Sequence, residues 1–219
     1  MAGAGEHPTR RRMREVFGAE RVYDIKAAAW TRIELVPDAT VPDDFKGPFS
    51  SSARLLRELD TARAVTAAMF AGSGELTVEL TWTVGPNPRH LPSPFKRLRQ
   101  LGLDLEPDPA FSWHMDPDEP EWTTHQQFTT VAPTEDALAP WLIAATGGFQ
   151  DRGLINLGLD LIDFERGLAL EFYDAKGMTP MATTAEALAP IYWRFRDWAI
   201  DFVVERCDEE FAPWRPAGI

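Results

Sequence analysis

The stretch Glu75-Leu76-Thr77-Val78-Glu79-Leu80-Thr81-Trp82-Thr83-Val84 alternates without a break between polar and apolar side chains. Successive side chains of a strand point to opposite faces, so this run predicts a half-buried strand. Leu76, Val78, Leu80, Trp82 and Val84 face a core, and Glu75, Glu79 and the threonines form a wet face. A strand with one wet face belongs to an antiparallel sheet, because parallel strands are covered on both sides.

The flanking sequence supplies the other layers. Leu55, Leu56, Leu59, Ala62, Val65, Met69 and Phe70 recur at helical spacing behind Ser50, Ser51 and Ser52, which offer N-cap oxygens, and Gly72 and Gly74 end that helix. Ala28 to Val36 reads as a strand, as does Glu121 to Val131, rich in threonine and aromatics. Lys96 to Leu101 makes a helical turn. Thr134 caps a helix in which Pro140 is tolerated only within the first turn. Leu154 to Asp163 and Leu168 to Tyr173 form a hairpin with Gly167 at the turn. A long helix from Pro190 to Phe211 closes the chain and buries Ile191, Phe195, Trp198, Phe202 and Val203. On that placement Trp198→Ala costs roughly 3 to 5 kcal/mol. The sum is an α+β fold, an antiparallel sheet covered by helices on one face, as a single domain over residues 21–219. Residues 1–20 read as a flexible basic tail with Arg10, Arg11, Arg12 and Arg14, and a short helix near Met13 to Phe17.

Composition bounds the function. The 219 residues are 44% hydrophobic and 26% charged, an ordinary globular balance. Cys207 is the only cysteine, which excludes an internal disulfide and a thiolate metal cage and fits a reducing, cytoplasmic setting. No secretory signal is evident, and no run approaches the roughly 20 apolar residues of a membrane helix. Net charge is −12. From Gln100 to Gln150 there is no Lys or Arg, against nine acids: Asp104, Glu106, Asp108, Asp116, Asp118, Glu119, Glu121, Glu135 and Asp136. Such a segment does not suit phosphate or nucleic acid, and it does suit a basic partner.

No phosphate loop, nucleophile elbow or zinc-type helix motif is present. His90, His114 and His125 with Asp116 are a conceivable metal set, but their spacing matches no known ligand pattern, so no metal and no cofactor are expected. Asp160, Asp163 and Asp174 flank the hairpin. Asp160 projects opposite Asp163, and turn capping or a solvated face is the favoured reading over an acid–base pair. Thr134 to Pro140 and Thr184 to Pro190 share Thr and Ala-Leu-Ala-Pro at one offset, best taken as chance in an alanine-rich chain. Trp30, Trp82, Trp141 and Trp198 read as core, and Cys207 as an inert thiol. Phe111, Trp113 and Trp122 instead sit in or beside the acidic, proline-interrupted stretch Leu105 to Trp122, where aromatics serve as interface anchors.

From Ala169 onward the chain resembles the domain of unknown function 3885 family. The residues that carry this are a strand ending Phe172-Tyr173-Asp174-Ala175-Lys176-Gly177-Met178, then Leu188, Tyr192 and Asp197-Trp198. The family pattern at the turn is Tyr-Asp-Asp-Arg-Gly, so Ala175 and Lys176 depart from it. Looser matches at Trp30 to Leu35 and Ala68 to Phe70 extend the resemblance over about Ala28 to Phe211. It implies a strand, a turn with Gly177 left-handed, and a docking helix, and it brings no known reaction.

Two functions follow as expectations. The first is a non-catalytic protein-binding module, an immunity-type or regulatory partner of a basic protein, contacting it through Phe111, Trp113, Asp116, Asp118, Glu119, Glu121 and Trp122. The alternative is a small-molecule enzyme whose site lies between sheet and helices and uses His114, Asp116 or His125. A homo-oligomeric scaffold is a third, weaker reading.

Overall fold

In the computed structural model, residues 6–35, 52–85, 94–114, 121–147, 157–174 and 177–218 are described. The alternating run forms strand β3, Leu76–Val84, at the middle of the sheet. On one side β3 pairs with β5 (Thr123–Val131), which pairs with the edge strand β4 (Phe111–His114). On the other side lie β6 (Leu157–Asp163), β7 (Leu168–Asp174) and β8 (Gly177–Ala182). Two short strands, β1 (Ala29–Trp30) and β2 (Ile33–Glu34), complete the sheet along β8, and every pair is antiparallel.

The sheet order β1-β8-β7-β6-β3-β5-β4 places a strip of Leu76, Val78, Leu80, Leu159, Leu161, Leu170 and Met178 under one helical layer. That layer consists of α2 (Ser52–Met69), α4 (Glu135–Gly147) and α5 (Ala185–Arg194), which contribute Val65, Met69, Leu142, Leu188 and Tyr192 to the core. Trp82 packs edge-on against Phe95 of α3 (Pro94–Gln100), with ring centroids 4.9 Å apart. The chain is an α+β domain with an antiparallel sheet, as its alternation and helical spacing predict.

Several local expectations change. The arginines assigned to a flexible tail lie on α1 (Pro8–Phe17), which begins at a proline suited to the first helical turn and ends at left-handed Gly18, φ 68°. Fully buried Met13 and Val22 dock this segment on the second face of the sheet, against Ile162, Phe164, Ala169 and Met181, and Arg10 and Arg14 both pair with Glu20. The strand expected over 28–36 is divided between β1 and β2. Thr31 N–H donates to the Pro180 carbonyl, and Pro180 has no N–H to return, so the ladder is interrupted there.

The closing helix is also divided. α5 stops at Arg194, a single 3₁₀ turn spans Arg196–Trp198, and α6 runs over Asp201–Glu210. Between them the backbone joins the sheet edge, with Ala199 bridging Ile33 and Ile200 N–H donating to the Arg32 carbonyl. Phe202 is consequently 67% exposed and Trp198 only half-buried, while Ile191, Phe195 and Val203 are buried as expected.

Pro140 and Pro190 each occupy the sixth position of their helix, beyond the first turn. Buried Leu138 and Trp141 in α4, and Leu188 and Ile191 in α5, show packing overriding the local loss of a backbone donor. Gly177 is not left-handed; it lies within β8, and a Cβ there would fall 2.1 Å from the Tyr173 hydroxyl. Gly167 is the left-handed residue of the β6–β7 turn, φ 62°.

Candidate functional site

The second face of β3 is not the wet surface its alternation suggests. Glu79 is 1% exposed, because α1 and the 3₁₀ turn Val22–Asp24 close over that part of the sheet. Its carboxylate holds the covering segment in place. Glu79 Oε2 accepts from Val22 N–H at 2.9 Å and Oε1 from Gln126 Nε2 at 2.8 Å, while the same Nε2 donates to the Glu20 carbonyl at 2.9 Å.

Register then sets two more acids beside it. Glu79 lies opposite Asp160 of β6, and Asp160 lies opposite Glu171 of β7, so three carboxylates form one row across three adjacent strands. Asp160 is 7% exposed. Among the described residues its hydrogen bond comes from Phe172 N–H to Oδ1 at 3.2 Å, and it is in no ion pair. Burial raises all three acids. Glu79 is pushed up to about 7 by desolvation, against its bonds from Gln126 and Val22 and the nearby charge of Arg21. Asp160 is raised by desolvation and then by the charges of Glu79 and Glu171. Glu171 is raised by desolvation, against the Thr179 hydroxyl and the charge of Arg32.

These acids line a cavity of about 340 Å³ that opens beside the covering segment. Its floor includes Thr81, Thr83, Thr124 and Gly158, with the Thr83 and Thr124 hydroxyls hydrogen-bonded at 2.9 Å. Gly158 is required by close approach, since a Cβ there would meet Thr81 Oγ1 at 2.3 Å. Trp113 and Tyr173 stand at the two ends, on β4 and β7. Each carries an arginine over its ring, Arg21 at 4.8 Å from Trp113 and Arg32 at 5.0 Å from Tyr173. Arg21 is itself held by Asp24 through two bonds of 2.5 and 2.7 Å, which leaves its charge largely compensated. Among the described residues, no group of three His, Cys, Asp or Glu side chains is placed to hold a metal ion.

The residues singled out from sequence divide between this cleft and other places. Trp113 lines the cavity. Phe111, 41% exposed, stacks on Trp113 at 5.9 Å and carries the Arg10 guanidinium 3.6 Å above its ring. Two of the three expected anchors are thus already capped by arginines of the chain itself. Trp122 turns back over Gly85, where a Cβ would sit 2.5 Å from its ring, and Glu121 is exposed. Asp116, Asp118 and Glu119 lie outside the described residues, as does His90. Asp104 and Glu106 are paired with Arg99, just before the base-free stretch.

His114 and His125 fall on the helix-covered side of the sheet, in register with Thr123 and with Ser112 and Trp82, away from the carboxylate row. His125 Nδ1 and Ser112 Oγ are 2.7 Å apart, and burial lowers the imidazole pKa. His114 is exposed, and with Asp116 outside the described residues no His/Asp site is assembled. Asp163 caps the hairpin, accepting from Glu165 and Arg166 N–H at 2.9 and 3.0 Å. Asp160 projects opposite it, as alternation requires, but into the cleft rather than into solvent. Cys207 is buried, and desolvation raises its thiol.

An α+β domain with a half-covered sheet and an acid-floored cleft is the class defined by these features. The profile of the family described as Domain of unknown function (DUF3885) matches residues 26–202, and the chain belongs to that family. No curated protein and no solved structure matches it. Among the described residues no helix is long and apolar enough to cross a membrane.

Proposed function

We propose that this chain is a non-catalytic binding module whose ligand presents a cationic group to the row of Glu79, Asp160 and Glu171. Asp160 carries the reading: a carboxylate 7% exposed, flanked in register by two further acids and, among the described residues, in no ion pair. Burial and mutual repulsion hold these acids toward their protonated forms, and an opposite charge beside them favours ionisation. A ligand ammonium or guanidinium would pair with the ionised row, entering between Trp113 and Tyr173, whose rings carry Arg21 and Arg32. The wider reading, a regulatory or immunity-type partner of a basic protein in a bacterial cytoplasm, keeps this charge complementarity and moves the contact from Phe111 and Trp122 to the cleft.

N-acetyl amides of lysine, arginine and norleucine test it by thermal shift. Saturable protection by the first two alone, lost in Asp160→Asn, is the expected result. Equal protection by norleucine amide, or an unchanged response in Asp160→Asn, overturns it.

A second reading rests on Glu79, whose pKa of about 7 suits a general acid or base near neutral pH. Turnover of a bound ligand by the parent that Glu79→Gln abolishes, with binding retained, would favour that enzyme.

A further inference from the structure

We propose that residues 6–25 form a releasable strap, which leaves the second face of the sheet as one unit and uncovers the cleft, and whose release rises with pH through Glu79. This device is independent of what the cleft binds. The segment is tied mainly to itself. Among the described residues each of its ion pairs joins two of its own side chains, as in Arg10 and Arg14 with Glu20, and Arg21 with Asp24. Its turns close internally as well, with Gly18 N–H donating to the Arg14 carbonyl and Ile25 N–H to the Val22 carbonyl. No strand of the sheet pairs with it.

Two hydrogen bonds hold it to the sheet among the described residues, each through one side chain. Val22 N–H donates to Glu79 and Gln126 Nε2 to the Glu20 carbonyl, both at 2.9 Å. Met13 and Val22 pack on Ile162, Phe164, Ala169 and Met181 in a cluster separate from the main core, so release leaves the helix-covered core intact. Lys26 and Ala28 are exposed in the irregular link to β1, where a hinge can act. The family profile begins at residue 26, which sets the strap outside the part of the chain that defines the family. A segment bound in this way opens below the global unfolding free energy.

The strap also walls the cleft. Arg21 and Tyr23 line it, and the covering segment buries Glu79. Covered, Glu79 is pushed from 4.5 up to about 7, chiefly by burial. Uncovered, it returns toward its ordinary value, so the covered state holds the proton and opening grows as pH rises between those limits. The charged and titratable groups facing Glu79 are Arg21 and Asp24 of the strap and Asp160 of β6, with Glu171 and Arg32 beyond. Arg21 and Asp24 leave together as an ion pair.

Thiol labelling tests this in full chains carrying Val22→Cys or Met13→Cys, read on the peptide that holds the new thiol so that Cys207 does not interfere. Val22→Cys nearly keeps the buried volume and keeps the backbone N–H that Glu79 accepts. Rates are divided by that of the urea-unfolded chain at the same pH. Both thiols should then report one opening, nearly independent of urea below the unfolding midpoint, because strap release exposes little surface. From about pH 5 to about pH 7.5 it should rise at least about tenfold, and less than about threefold when Glu79→Gln is added. Openings that differ between the two thiols, labelling with the full urea dependence of global unfolding, or a pH rise that survives Glu79→Gln would each overturn the proposal.

Discussion

Replacing Glu79 by glutamine takes an ionisable group out of a site that is 1% exposed, and its effect on stability can be worked from the structure. The folded carboxyl holds its proton up to about pH 7, against an ordinary value of 4.5, so between those limits the folded chain binds more protons than the unfolded one. Stability from this group is therefore complete below about pH 4.5 and is lost as pH rises through about 7. Moving the carboxyl from 4.5 to about 7 corresponds to about 3 kcal/mol lost across that window. Glutamine abolishes the loss but presents an NH₂ where Oε2 accepts from Val22 N–H, and two buried donors facing each other cost about 1 to 3 kcal/mol. Glu79→Gln should thus be less stable than the parent at pH 5 and equal or exceed it at pH 8.5. Urea melts at the two pH values, compared at constant m, make the measurement. If the parent and variant differ by the same amount at both values, within about 0.5 kcal/mol, Glu79 is not the buried acid described here.

Gly158→Ala should destabilise by about 1 to 3 kcal/mol in denaturant melts, through contact with Thr81 Oγ1, and should narrow the cleft enough to weaken any ligand found for it. Trp198→Ala should cost about 1 to 2 kcal/mol, below the range its expected full burial implies, since its half-buried indole rests on Phe195 at 5.1 Å at the margin of the core. Phe202→Ser should fall within about 0.5 kcal/mol of the parent by the same melts. Tyr192→Phe removes a hydroxyl that donates to Asp208 at 2.5 Å, with the Val204 carbonyl 3.2 Å away. A loss of about 1 to 2 kcal/mol is expected, visible as a lowered thermal midpoint.

The fold was legible where a residue's neighbours in sequence decide its surroundings. Alternation in Leu76–Val84 and turn chemistry at Gly167 placed the central strand and the hairpin, because both are local signals. The breaks in β1–β2 and between α5 and α6 were not legible, since one depends on Pro180 across a ladder and the other on a sheet edge capturing Ile200. The site was hidden for the same reason. Glu79, Asp160 and Glu171 are separated by 81 and 11 positions and meet only through strand register, which no single strand specifies. Alternation alone assigned Glu79 to water, because it cannot know that α1 returns to cover it. Trp113 was found because an aromatic in a polar, proline-rich stretch is a local anomaly.

The docking of α1 has a consequence for the order in which the molecule is made. Met13 packs beside Ile162 and Met181, partners synthesised roughly 150 to 170 residues later, a delay of about 8 to 30 s at ordinary translation rates. Throughout that interval Met13, Val16, Phe17 and Val22 have no sheet to rest on, and their apolar surface stays open to solvent or to other chains. α1 is thus made well before the strands it rests on, which makes the β6–β7 hairpin and β8 the step that ends this exposure.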